Sequence, residues 1–194
     1  MKVIGLTGKA CSGKNYISKI FLDRGYNVID VDKLGHQALI NKQKEVVNAF
    51  NDNILTNDII DRKKLGNIVF SSKEKLRLLE SIVHPEIKNM CRNIINNSKK
   101  DIIINAAILQ RGKLVDLCDH VIFVSAPFII RYRRSKKRDK RSLIWFFKRD
   151  LAQKDISVKE LKKEKEVYEI QNKSTKNEIY RQIVSYCDIF IKGK

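Results

Sequence analysis

An α/β fold with a parallel sheet flanked by helices is what this sequence predicts, on three observations. Five short apolar runs punctuate the chain: Lys2–Thr7, Asn27–Asp32, Asp101–Ile108, His120–Ala126 and Cys187–Lys192. Most are continuously apolar rather than alternating, as strands covered on both faces are. The segments between them carry helical spacing, and strands alternating with helices imply βαβ units. The 194 residues, 43% hydrophobic and with two prolines, suffice for one packed domain carrying a small insertion.

The first run leads into GKACSGKN, Gly8–Asn15, which reads G-x-x-x-x-G-K. It follows a strand and precedes an amphipathic helix that carries Ile17, Ile20 and Phe21 on one face and stops at Gly25. That context is the one in which such a loop binds phosphate. Gly8 and Gly13 let the backbone turn tightly, so that successive N–H groups point inward as an anion nest. The helix adds its N-terminal partial charge, and Lys14 reaches the β- and γ-phosphates. Asn15 stands where such loops carry a Ser or Thr hydroxyl on Mg²⁺. Its carbonyl is a hard oxygen set one bond further out. A contact through water suits Mg²⁺ better there than direct ligation.

The second run ends VIDVD, with Asp30 and Asp32 two residues apart and hence on one side of a strand. Ligands of open parallel sheets gather at the carboxyl ends of strands. Asp32, at the tip, therefore reads either as a base for a substrate hydroxyl or as a turn or helix cap. The region from about Gly35 to Lys100 is longer than one crossover needs and reads as an inserted helical subdomain, with Leu76, Leu79, Ile82 and Val83 on one helix face. Within it His84 precedes Pro85 and, taken alone, is a structural histidine.

After the fourth run, Arg131–Arg141 holds eight basic residues and one acid. Three readings stand side by side: a solvated basic helix, a nucleic-acid patch, or a mobile lid whose arginines close over a transferring phosphoryl group. The apolar Ser142–Phe147 stretch that follows is an anchor behind a lid or a self-association patch.

Forty basic against 22 acidic side chains give a formal net charge of +18, which favours anionic partners without choosing among them. The four cysteines are far apart and form no C-x-x-C pair, so they read as reduced thiols. The N-terminal apolar run is too short for a signal peptide, and no segment reaches membrane-spanning length. The expectation is a cytoplasmic protein.

Taken together, the motifs resemble the dephospho-CoA kinase family along nearly the whole chain. IGLTGKACSGKN looks like that family's phosphate loop and VIDVDKLGHQ like its IDAD segment. DRKKLGNIVF with LLESIVHPEI is similar to its helical-domain signature, and SAPFIIRYRRSKKRD to its lid segment. The resemblance implies a P-loop kinase: a five-stranded parallel sheet flanked by helices, a helical CoA-binding subdomain over about 35–100, and a mobile lid over about 128–155. It implies ATP-dependent phosphorylation of the ribose 3′-hydroxyl of dephospho-CoA, with ATP as donor and Mg²⁺ as cofactor. By residue, it implies Asp32, Lys14 and Arg138 as catalytic and Gly8, Ala10, Cys11, Ser12, Gly13, Lys14, Asn15, Tyr16, Arg138 and Asn172 as ATP-binding. Asp32, His84 and Arg134 would bind the acceptor, Asn15 would touch the metal through water, and Gln153 takes the place of a family glutamine. Expected partners are the two substrates alone, with no membrane or nucleic acid, in a monomer or weak homo-oligomer. Competing readings are a kinase of another nucleotide or nucleoside, and a degenerate nucleotide- or RNA-binding protein. Besides Asn15, the sequence departs from the family at Ala107, where it has Pro, and at Arg111, where it has an acid. That segment helps shape the family's acceptor site.

Overall fold

The computed structural model describes residues 1–140, 142–173 and 175–191. Arg141 of the basic run and Lys192 of the expected last strand lie outside them. The chain begins with β1 (Val3–Thr7), α1 (Lys14–Asp23) and β2 (Asn27–Asp30). Then come α2 (Val31–Asn41), α3 (Gln43–Phe50), the short strands β3 (Leu55–Thr56) and β4 (Ile59–Ile60), α4 (Arg62–Val69) and α5 (Lys73–Asn96). The remainder is β5 (Ile102–Asn105), β6 (His120–Ser125), α6 (Phe128–Asp139), α7 (Leu143–Ala152), α8 (Val158–Leu161), β7 (Val167–Gln171) and α9 (Lys176–Phe190).

The contacts divide the chain into two units, 1–29 with 98–194 and 30–97. The first unit is built on a five-stranded parallel sheet of order β2-β5-β1-β6-β7. β1 is central: Val3 to Leu6 pair with Ile102 to Asn105 on one side, and Ile4 to Thr7 pair with His120 to Phe123 on the other. Since β1 and its neighbours are covered on both faces, they carry the continuous apolar pattern of buried parallel strands. Ile17 and Phe21 of α1 and Ile179, Ile183, Tyr186 and Cys187 of α9 pack on Ile4, Leu6, Ile103, Ile122, Val124 and Ile170 of the sheet. Each such side chain, once fully buried, contributes about 1.5–3 kcal/mol. All four cysteines are free thiols. No helix among the described residues is long and apolar enough to cross a membrane.

The expected fifth strand at Cys187–Lys192 is corrected. Its described residues up to Phe190 belong to α9, because Ile179, Ile183, Tyr186 and Cys187 recur at helical spacing and that stripe is what the sheet buries. The fifth strand is β7, at the sheet edge, where Val121 to Ser125 of β6 pair with Val167 to Gln171. Glu169 and Gln171 are exposed there, which hid the strand from a search for continuous apolar runs.

The second unit is mainly helical. Asn57 and Asp58 join β3 to β4 with positive φ of 51° and 60°, as a two-residue hairpin loop demands. α5 runs 24 residues with Pro85 inside it.

His120 opens β6 with its ring against Tyr186 and Phe190. Burial pushes its imidazole below the usual range, partly opposed by Asp119. The folded state therefore prefers the neutral ring. That stability is present above about pH 6.5, the unfolded value, and is lost as pH falls below it toward the folded value. Urea midpoints measured from about pH 7.5 to 5.5 should fall less steeply in His120→Phe than in the native protein.

Candidate active site

The loop between β1 and α1 is fixed by its glycines. Gly8 has φ +157°, and a Cβ there would sit 2.4 Å from the Val124 carbonyl oxygen. Gly13 has φ +99°, and a Cβ would sit 2.0 Å from Nδ2 of Asn172. Neither position has room or dihedral freedom for a side chain. Cys11 holds φ +61° between them, and the Ser12 amide donates to the Lys9 carbonyl at 3.0 Å. Gly13 caps α1 without a side-chain partner, so the first-turn amides of Lys14 and Asn15 are presented as donors suited to an anion, while the Tyr16 amide donates to the Gly13 carbonyl at 3.0 Å. Ser12 Oγ is buried in the loop with no protein hydrogen-bond partner. An orphaned hydroxyl beside uncapped amides fits a phosphate.

Lys14 Nζ donates to Asn105 Oδ1 at 3.0 Å and to Asn15 Oδ1 at 3.1 Å. Asn105 Nδ2 donates in turn to Asn15 Oδ1 at 3.2 Å. Asn105 ends β5 and is 3% exposed, whereas Asn15 is exposed on the first turn of α1. Both directions of the Asn15 carbonyl oxygen are thus engaged. Among the described residues no group of three or more His, Cys, Asp and Glu is placed to hold a metal ion. This donor set fits Mg²⁺ only as an ion carried by phosphates and water.

Arg134 lies against the loop. Its Nη1 donates to the carbonyls of Ser12 and Cys11 at 3.0 and 3.3 Å, and its Nη2 to Oδ1 and the carbonyl of Asn172 at 2.9 and 3.1 Å. Asn172 Nδ2 donates to the Ser12 carbonyl at 2.7 Å. Burial draws the Arg134 guanidinium below its usual range. Gln153 Oε1 accepts the Ala10 amide at 2.8 Å, tying the loop to the end of α7. Arg131 is buried and donates to Asp150 at 2.6 Å, with Lys9 Nζ 3.8 Å from the same carboxylate. Arg138 is largely exposed and bonds Asp139 through Nε and Nη2, a contact that raises its already high pKa.

Arg134 and Asn172 thus brace the loop from behind. Arg134→Lys keeps the charge but loses the planar fork that reaches two loop carbonyls and Asn172 together. It should lower kcat/KM for ATP by about 10–100-fold through loop misplacement, as steady-state kinetics would read.

Asp30 and Asp32 do not share a strand face. β2 ends at Asp30, whose carboxylate caps α2 by accepting the amides of Asp32 and Lys33 at 3.1 and 3.3 Å. Asp32 is exposed in the first turn of α2. The cap preference of Asp at the end of an apolar run turned the chain into a helix one residue before the expected tip. His84 is half-buried midway along α5. Tyr16 is exposed on α1. Arg111, the departure from the family pattern, makes a two-pronged pair with Asp155 at 2.7 and 2.8 Å and donates to the Ala152 carbonyl at 2.9 Å. It latches the segment after β5 to the end of α7, and it holds the Asp155 carboxyl below its usual range.

Sequence reasoning missed Asn105. The signal was there: one polar residue ending a wholly apolar strand, at the carboxyl edge where parallel sheets bind ligands.

Among known proteins, the family model described as dephospho-CoA kinase matches residues 2–178. A dephospho-CoA kinase of Fusobacterium nucleatum is 32% identical over 194 residues, covering 96% of this chain and 97% of its own. One from Borreliella burgdorferi is 42% identical over 137 residues, covering 69% of this chain and 67% of its own. The solved structure of the dephospho-CoA kinase from Campylobacter jejuni superposes with a TM-score of 0.70 at 26% identity, over 98% of both chains. A phosphate loop on the central strand of a five-stranded parallel sheet, with a family match over most of the sequence, leads to one assignment: this chain is a P-loop kinase and belongs to the dephospho-CoA kinase family.

Proposed function

We propose that this protein transfers the γ-phosphoryl group of ATP to the ribose 3′-hydroxyl of dephospho-CoA, giving CoA and ADP. The observation that carries the reading is Lys14 held by two amide oxygens at the mouth of a braced phosphate loop, in a chain of this family. The amides of Cys11, Gly13, Lys14 and Asn15, with the buried Ser12 hydroxyl beside them, cradle the β- and γ-phosphates. Lys14 draws charge off the oxygens of the transferring group, where electrostatic stabilisation acts most strongly. Arg138 exchanges Asp139 for the same group when 128–155 closes as a lid. Asn172 and Arg134 hold the loop carbonyls away from the phosphates, which they would repel.

Asp32 accepts the proton of the 3′-hydroxyl as that oxygen attacks γ-phosphorus and the bond to the β–γ bridging oxygen breaks. His84 and the helical unit over about 35–100 hold the acceptor. Mg²⁺, when bound, supplies positive charge to the β- and γ-phosphates. Both substrates are small polyanions, consistent with a strongly basic chain acting in the cytoplasm as a monomer or weak homo-oligomer.

ADP release measured with Mg²⁺-ATP and a panel of dephospho-CoA, adenosine, AMP and pantetheine tests the reading. Dephospho-CoA should exceed every other acceptor by about 100-fold or more in kcat/KM, the discrimination expected of a site that recognises several parts of one substrate. Equal rates across the panel, or turnover of a different acceptor alone, would overturn it.

A further inference from the structure

We propose that Asn105 is a positioning residue: with Asn15 it forms a matched amide pair that fixes Lys14 at the phosphate loop and leaves any metal to water. The inference rests on the reading of the loop as the ATP site, and not on which acceptor is used.

The hydrogen-bond directions follow from Lys14. An ammonium has donors only, so both partners must turn their oxygens to it: Asn105 Oδ1 at 3.0 Å and Asn15 Oδ1 at 3.1 Å. That leaves Nδ2 of Asn105 facing the Asn15 oxygen, and it donates there at 3.2 Å. The triangle closes without conflict only when residue 105 can accept and donate at once. A carboxylate there would face the Asn15 carbonyl with two acceptors and no donor. An Asn15 flip to satisfy it would set an amide NH₂ against the ammonium. The two amides are therefore matched to each other as well as to Lys14.

Position and burial support a working role. Asn105 is the last residue of β5, 3% exposed, and pairs in register with Leu6 two residues before the loop begins. Its backbone is held in the sheet and its buried side chain bonds Lys14, Asn15 and Ser18, so it anchors the flexible four-carbon stem of Lys14. In phosphate loops that ligate Mg²⁺ through protein, a Ser or Thr hydroxyl and a carboxylate do so. Here each partner of the pair is a neutral amide, and the Asn15 oxygen already accepts two hydrogen bonds. The pair orders Lys14 where those residues would order a metal.

Equilibrium titrations of ATP and AMP, in EDTA and then in Mg²⁺, separate this role from a structural one. Native protein should bind ATP in EDTA within about threefold of its affinity in Mg²⁺, because Lys14 and the loop amides do most of the holding. Asn105→Ala should weaken ATP about 10-fold in EDTA and leave AMP, which has no β-phosphate for Lys14, within twofold. Combining Asn15→Ala with Asn105→Ala should cost little more than either alone. The isosteric Asn105→Asp, which preserves packing, should also weaken ATP in EDTA, because its charge competes with phosphate for Lys14. Adding Asn15→Thr to Asn105→Asp should create a Mg²⁺ dependence of ATP binding about 10-fold steeper than the native one. Unchanged ATP affinity in folded Asn105 variants, equal losses for ATP and AMP, or additive losses in the double variant would overturn the proposal. Native ATP binding in EDTA with no acceptor turnover would sink the acceptor assignment alone.

Discussion

Lys14→Ala should lower kcat/KM by about 10³-fold or more while moving the melting temperature by only a few degrees. The ammonium is the loop's own cation, set 3.0 and 3.1 Å from the two amide oxygens that aim it. Removing one preorganised donor from a charge-developing centre costs about 10²–10³ in turnover, and here the donor also carries a full charge. The folded state loses less. Lys14 is only part-buried, the hydrogen bonds are worth about 0.5–1.5 kcal/mol each net, and water can reach its end of the Asn15 oxygen. Steady-state kinetics together with thermal unfolding would check both halves. A variant that retains native kcat/KM, or one that unfolds, contradicts this account of Lys14.

Asp32→Asn should lower kcat by about 10³-fold with little change in KM, since general-base contributions run to about 10²–10⁴. The neighbouring carboxylate provides the control. Asp30 spends its side chain on the cap of α2, and Asn caps nearly as well as Asp, so Asp30→Asn should stay within a few-fold of native. Equal losses at both positions would mean that the segment needs negative charge rather than a base at residue 32.

How far the sequence reveals the fold depends on whether its signals are local. The phosphate loop is legible because strand, glycines, lysine and helix are contiguous, and each glycine is demanded by a dihedral or a close approach within that stretch. The inner strands are legible because burial on both faces makes them continuously apolar. β7 is not, since an edge strand exposes Glu169 and Gln171 and so loses that signature. α9 passed for a strand because CDIFIK is apolar when read alone; its helical stripe appears only when Ile179 and Ile183 are read with it.

The site shows the same division. Asp30 and Asp32 were visible as a pair, but the cap that separates them depends on where the chain leaves the sheet. That Arg134 reaches the Ser12 carbonyl and Asn172 is not visible in a linear pattern, which holds no direction. Asn105 could not be tied to Lys14 and Asn15 across 90 residues without the β1–β5 pairing that sets them side by side. Arg111 likewise shows its partner, Asp155, only once α7 has returned to the loop after β5.

The central claim is a phosphoryl transfer to one hydroxyl, and the position of the phosphate in the product tests it most directly. With Mg²⁺-ATP and dephospho-CoA, ³¹P NMR of the purified product should show a single new phosphomonoester, coupled to the ribose 3′ proton, in step with ADP formation. ATP consumed with no ribose phosphomonoester, or phosphate placed on any other hydroxyl, would contradict it.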